Sequence, residues 1–505
     1  MDKKIDLSNH RCVDGAIVKL FKDYAKITFT KGEWPEVEFT WLGNVKEYNC
    51  VKFSIKVVGF KAVTTIFHNK NSRAINDTAR EINHREFPNN RWIDVTWYFR
   101  EQPGWITPPS PDPFDFDNAS SLGFCVNGSE LKEDCYIEIK NVYFSKQEHV
   151  DEKVAADDKL FEEFTASHKR GNLNGKKTLL WANSARLHSS SIESVIKEIE
   201  VYRQYSEVNG LIMKMDDNHS PIFTDTFFTP DKLNTDIVDR AIELYKNTDW
   251  GNFKDNFFLI NITGMAAKRF MVDGTPKPLD WFDDNLFYNH IFPKVAYFCK
   301  ALKSVGAQIC FDTEAYTTEP YDYYYKYKNS GKTFCEYEEK VRQRGREFAE
   351  TINENYPAAK VLMLYGPWAI GRFEKEEARY GLLPAFFDGL CQAETTVTFI
   401  DGCESGYEFT SYNTILRGLY NSKKCYKNSK FPSEYQKKIK ADFGIWVRPE
   451  IMDKAVFAEL LVNSLSECNE YVWIYTEDSP VDNPVVQDYV SNACREAIKK
   501  RNERH

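Results

Sequence analysis

Between residues 10 and 146, apolar and polar side chains alternate in short runs, at 16–21, 25–29, 51–58, 92–97 and 136–144. A period of two is the signature of a strand with one buried face, and no amphipathic stretch of helical length interrupts these runs. Strands of this kind in unbroken succession predict an all-β domain, a jelly-roll sandwich of two antiparallel sheets over residues 10–146. A polar, charged segment follows at 147–177, containing Asp151-Glu152-Lys153 and Gly171-Asn172-Leu173-Asn174-Gly175. It reads as a linker carrying one helix.

Beyond it the rhythm changes. Short apolar runs near 178–183, 209–215, 256–262, 307–312, 360–365, 395–401, 443–448 and 471–476 alternate with helical stretches such as 192–205, 233–245, 288–305, 336–355 and 454–465. Parallel strands need such crossovers, because a hairpin cannot join them. Eight strands in regular β-α alternation predict a (β/α)8 TIM barrel over 178–505, so the fold class is multidomain, all-β and then α/β. An open doubly wound sheet is the rival architecture. Its phosphate turn needs the glycines of G-x-G-x-x-G after the first strand, and Trp181-Ala182-Asn183-Ser184-Ala185-Arg186 has none.

Composition narrows the partners. The chain has 505 residues, a net charge of -9, and an aromatic share of 15% from 28 Tyr, 36 Phe and 11 Trp. Clustered Lys and Arg, which phosphate binding requires, are missing outside Lys499-Lys500-Arg501, so no nucleic-acid partner is expected. No apolar run approaches the ~20 residues of a membrane span. The first residues lack the apolar core of a secretory signal, which leaves a cytoplasmic protein, or a secreted or periplasmic one whose signal has been removed. The 12 Cys include no C-x-x-C pair, and the nine His show neither H-x-H nor H-E-x-x-H spacing, so neither a metal nor another cofactor is expected.

In a parallel barrel the loops after the strands share one rim, and chemistry gathers there. The strand ends supply Asn183 and Arg186; Lys214, Asp216 and Asp217; Asn261; Asp312 and Glu314; Tyr365; Asp401, Glu404 and Tyr407; Arg448; and Tyr475, Glu477 and Asp478. Carboxylates dominate. Glycoside hydrolysis needs two of them, one protonated toward the leaving oxygen and one ionised as nucleophile or base. Residues 312 and 314 share a side of an extended strand, which makes Glu314 the candidate acid/base, Asp312 its modulator, and Glu404 or Glu477 the second carboxylate. Tyr316, Tyr365, Trp368, Tyr407 and Trp473 are candidates for stacking on sugar, with Asp401 beside them. Arg186, Lys214, Asp216 and Arg448 are candidate polar contacts, the cations suited to a uronate or sulfate. The same carboxylates also occur at loop starts as helix caps and solvated charges.

The run 136–144 resembles the last strand of the jelly-roll modules that accompany carbohydrate-active enzymes, and Trp92-Ile93-Asp94-Val95 resembles the strand before it. Together with the barrel, this resembles the bacterial glycoside hydrolases that carry an appended carbohydrate-binding module. The resemblance implies a carbohydrate substrate, and it makes Trp34, Trp41, Trp97 and Trp105 either stacking platforms or core. The large retaining clan of such enzymes carries Asn-Glu at the end of strand four, whereas Thr313 precedes Glu314 here. That clan also places its nucleophile on strand seven, where only Glu450 occurs, beyond Pro449. The Asp312-x-Glu314 ending is similar instead to the D-x-E tail of chitinases and hyaluronidases, in which the Glu is the acid and the Asp orients an acetamido group. The earlier aspartates of that signature are replaced near Gln308 and Cys310. Two alternatives stand beside a glycosidase: a noncatalytic glycan-binding protein on a decayed barrel, and a metal-dependent hydrolase or lyase using Asp216, Asp217, Asp312 and Glu314.

Overall fold

The first unit holds two antiparallel sheets of six strands each; all five alternating runs fall in one of them, and the other is built from strands that the alternation did not mark. One sheet orders Ala16–Leu20, Ala25–Phe29, Tyr136–Ser145, Cys50–Val58 and Trp92–Trp97, with Lys3–Lys4 also paired to Tyr136–Ser145. The other orders Trp105–Thr107, Asp77–Asn83, Ala62–Asn69, Ala119–Cys125, Glu36–Thr40 and His10–Val13. The computed structural model describes residues 2–503 except 42–43, 70–76, 84–89, 100–104, 108–113, 132–134, 148–151, 184–189, 216–226, 263–270, 273–274, 277–278, 315–318, 368–375, 377, 451 and 477–478.

The period-two pattern puts Ala25, Ile27 and Phe29 inward and Lys26 and Thr28 outward, and the inward faces meet in an aromatic core. Phe67 packs there against Trp97 and Phe99, with ring centroids 5.0 and 5.1 Å away. Offset and edge contacts of this kind add to the burial of the rings. Trp41 and Trp97 therefore belong to the core, Trp34 is 53% exposed, and Trp105 begins a strand at the sheet edge. Cys125 and Cys135 are free thiols.

The chain divides into two compact units between Lys159 and Leu160. That boundary falls inside the helix Glu152–Ser167. Phe161 packs with Leu416 and Tyr420, His168 Nε2 lies 2.7 Å from Glu467 Oε2, and Lys176 Nζ donates to the carbonyls of Cys468 and Asn469 at 2.6 and 2.7 Å.

The second unit is built on one parallel sheet of nine strands. Starting from Lys177–Trp181, each successive strand pairs with the one before: Gly210–Met213, Phe257–Asn261, Gln308–Asp312, Lys360–Met363, Thr398–Asp401 and Ile439–Ala441. Tyr471–Tyr475 pairs with the first strand on one side and with Phe443–Trp446 on the other. The two end strands are consecutive in sequence, with only Asp442 between them, so the sheet is nearly closed and the seventh strand is split rather than missing.

Asp442 sits at the split. Its N–H donates to the Asp401 carbonyl at 2.9 Å, and its carboxylate accepts the N–H groups of Asn469, Glu470 and Tyr471 at 2.7, 2.9 and 2.9 Å. Fully buried, this carboxyl is pushed up to about 7 by desolvation, against the pull of those three bonds.

Alternation along the barrel strands separates two cores. Ile309, Phe311 and Phe399 face the surrounding helices, while Leu179, Ile212, Phe257, Cys310, Leu362, Ile400 and Trp473 fill the lumen. Trp473 needs glycine beside it: a Cβ on Gly444 would lie 2.6 Å from its ring, and its Nε1 donates to the Gly402 carbonyl at 2.8 Å. The base is closed by charge, with Lys177 between Asp255 and Glu470 and Lys360 between Glu470 and Tyr471. A packed lumen and a sealed base leave the opposite rim for chemistry.

Candidate active site

The fourth strand positions the acids. Cys310 faces the lumen, so two residues later Asp312 continues the same side, paired in register with Asn261 of the third strand. Its Oδ1 accepts the N–H of Glu314 at 2.9 Å, which folds the turn back on the strand end. Asp312 is 7% exposed. Burial and the neighbouring Glu314 carboxylate push its carboxyl up to about 7, against the Glu314 N–H and the Lys214 ammonium, which favour the charged form. Thr313, where the retaining clan has Asn, turns the other way and donates to the Tyr365 carbonyl, tying the fourth strand end to the fifth.

Glu404 approaches from the sixth strand. Cys403 adopts a left-handed conformation (φ 44°), and the 3-10 turn Glu404–Glu408 starts there. The Cys310 thiol is held well above its usual range by burial and then by the Asp312 and Glu404 carboxylates. Glu404 follows the sixth strand by three residues, as the half-buried Glu314 follows the fourth by two.

An aromatic wall stands beside it. Tyr407 stacks on Tyr475 at 4.9 Å and 14°, Trp446 meets both rings at 5.7 and 5.4 Å, and Trp181 meets Tyr475 at 5.8 Å. All four are partly exposed above the buried Trp473. Two polar atoms here are buried and lack a hydrogen-bond partner among the described residues, Trp446 Nε1 and Asn261 Oδ1. Buried polar groups without partners cost about 1–3 kcal/mol each, so they mark places where a ligand would be welcome.

Several expected contacts have other roles. Asp401 is fully buried and faces the helices, its carboxylate accepting from Ser422 Oγ at 2.6 Å and from the Cys403 N–H at 3.1 Å; it shapes the turn that carries Glu404 and does not reach the rim. Trp473 is lumen core and not a platform, because alternation points it inward beneath Tyr407 and Tyr475. Arg448 is buried, with Nη2 donating to the Tyr407 carbonyl at 2.8 Å and its guanidinium 4.8 Å from the Trp446 ring. It braces the wall from behind. Tyr365 packs on Tyr380 at 4.7 Å, and Lys214 reaches Asp312 electrostatically. Glu477, Arg186, Asp216, Tyr316 and Trp368 lie outside the described residues.

Trp181 and Trp446 were not singled out from the sequence. Each ends an apolar run, where a large ring reads as core until the strand end is known to be a barrel rim. Among the described residues, three potential metal ligands come within 4.8 Å of one another at Glu36, Glu38 and His68 of the sandwich, where Glu38 is already bonded by Arg11 and Ser121. No described helix is long and apolar enough to cross a membrane.

No protein family matches the sequence, and no curated protein matches it. Among solved structures, the chain is similar to the family 11 carbohydrate-binding module from Clostridium thermocellum in complex with a β-1,3-1,4-mixed-linked tetrasaccharide, at 17% identity over 29% of this chain and 98% of that one, with a TM-score of 0.23. It is also similar to the family 11 module of a cellulosomal cellulase of Clostridium thermocellum, at 13% identity over 30% and 90% of the two chains, TM-score 0.22. A mutant of the family 29 module CBM29-2 gives 16% identity, 30% and 98% coverage, and a TM-score of 0.21.

Proposed function

We propose that the barrel is a glycoside hydrolase whose centre is formed by Glu314, Asp312 and Glu404. The observation that carries this reading is the placing of carboxylates at the ends of strands four and six, on the open rim of the barrel, beside an aromatic wall with an unpartnered indole N–H. Sugars present apolar C–H faces and hydroxyls, and such a wall offers rings for the first and a donor for the second.

With its carboxyl raised to about 7, Asp312 holds a proton up to near neutral pH, beside Glu314. In the proposed reaction Glu314 takes up the Asp312 proton and donates it to the glycosidic oxygen as the C–O bond breaks. Glu404 supports the oxocarbenium-like carbon, and water adds there, its proton returning to the carboxyl pair. Lys214 limits the rise at Asp312, so the proton remains transferable.

Glu314→Gln tests the reading. Release of reducing ends from a panel of polysaccharides should fall by about 10²–10⁴-fold while glycan retention persists. Retention without hydrolysis in the wild-type protein as well would assign a noncatalytic glycan-binding barrel. Loss of wild-type activity on full chelation with EDTA would assign metal-dependent chemistry to the same carboxylates.

A further inference from the structure

The sandwich carries a second chemical surface, independent of the barrel. On the outer face of its first sheet, register aligns Lys19 with Lys26, Lys26 with Glu138, Glu138 with Lys56, and Lys56 with Trp92. The row crosses five of the six strands at right angles, and at about 4.8 Å per strand it spans roughly 19 Å. Aromatic rings interleave with it. Lys26 Nζ lies 3.5 Å from the Tyr136 ring, Lys140 Nζ 4.2 Å from the Trp92 ring, and Lys19 Nζ 5.2 Å from the Phe21 ring. Phe21 stacks on Tyr24 at 4.6 Å, and Tyr24 meets Trp92 edge-on at 6.2 Å.

The charges do not cancel. Glu138 is taken by Lys56 at 2.5 Å, and Asp94 accepts the Ser54 hydroxyl at 2.6 Å. Lys19, Lys26 and Lys140 form no ion pair among the described residues; rings hold them in place. A cationic strip on a chain of net charge -9 runs against the overall balance. The margin is apolar as well, with Ile17 53% and Phe21 39% exposed.

From this geometry we infer that the outer face of the first sheet binds an acidic polysaccharide, with pyranose rings stacked on Trp92 and Tyr24 and uronate or sulfate groups met by Lys26 and Lys140. Flat rings suit the C–H faces of sugars, and ammonium groups already fixed by cation–π contact lose little freedom on meeting an anion. A single-stranded nucleic acid would also find rings and cations, but this face has lysines only, without the arginine forks suited to phosphate, and the whole chain repels a polyanion as dense as nucleic acid.

The test uses the full chain carrying Glu314→Gln, so that turnover does not erode the probe. Polygalacturonate and its fully methyl-esterified form share a backbone and differ in charge. Affinity electrophoresis and calorimetry should show at least tenfold tighter binding of the charged form, weakening as salt rises. Trp92→Ala, and separately Lys26→Met with Lys140→Met, should reduce it tenfold or more while circular dichroism and thermal unfolding stay unchanged; methionine keeps the aliphatic stem, so the second variant isolates charge. Equal binding of both forms, no loss in the folded variants, or failure to bind polygalacturonate, alginate and chondroitin sulfate alike would overturn the inference. Preference for single-stranded RNA would overturn it in favour of a nucleic-acid face. The barrel reading fails separately, through an absence of turnover in the chain that retains Glu314.

Discussion

Asp312→Asn should stabilise the protein above neutral pH while removing activity. The asparagine keeps an oxygen to accept the Glu314 N–H and removes the buried charge. In the unfolded chain the Asp312 carboxyl titrates near its ordinary 3.8, and in the folded chain near about 7. Between those values the folded state holds more protons than the unfolded one, so stability falls as pH rises through this window and the full cost is present above it. At roughly 1.4 kcal/mol per pH unit, the interval corresponds to an upper bound of about 4 kcal/mol. Urea unfolding followed by tryptophan fluorescence at about pH 4, 6 and 8.5 measures it as the difference between the variant and the parent chain. Asp442 also titrates high but is present in both proteins, so its contribution cancels. The difference should be near zero at the lowest pH and grow to favour the variant at the highest. A variant that is less stable at the highest pH would refute the reasoning, because it would mean that Asp312 is ionised there and held by Lys214.

Asp442→Asn should do the opposite and lose about 1–3 kcal/mol, because its amide nitrogen would face the Tyr471 N–H that Oδ2 now accepts; thermal unfolding near neutral pH checks this. Gly444→Ala should cost about 1–3 kcal/mol by pressing a methyl group into the Trp473 ring, and Gly402 offers no room for the ring to retreat, as near-ultraviolet circular dichroism would register. Arg448→Met frees the Tyr407 carbonyl, so KM for a glycan substrate should rise several-fold with a smaller change in kcat. Equal falls in kcat and kcat/KM would instead place Arg448 in the transition state.

Much of the architecture was legible along the chain because it rests on period. Two-residue alternation specifies strands with one wet face, and apolar runs separated by helical stretches specify parallel strands joined by crossovers. Asp312 and Glu314 were legible for the same reason, as acids at the end of a buried run. What period could not show is orientation past a strand's end. Asp401 reads like Asp312, an acid closing an apolar run, yet its run is offset by one residue relative to the lumen, so it turns outward to Ser422 while Asp312 turns in. Trp473 reads as a platform and is a floor; Trp181 and Trp446 read as core and stand in the wall.

The sequence by itself determined one sheet of the sandwich, the β-α alternation of the second region, and that acids gather at strand ends, because these follow from local periodicity and residue chemistry. Only the tertiary structure decided that the seventh strand splits at Asp442, that Asp401 turns outward while Asp312 turns in, and that lysines from three strands align in one row on the sandwich. Each of these depends on register between segments distant in sequence, and no local pattern carries that information.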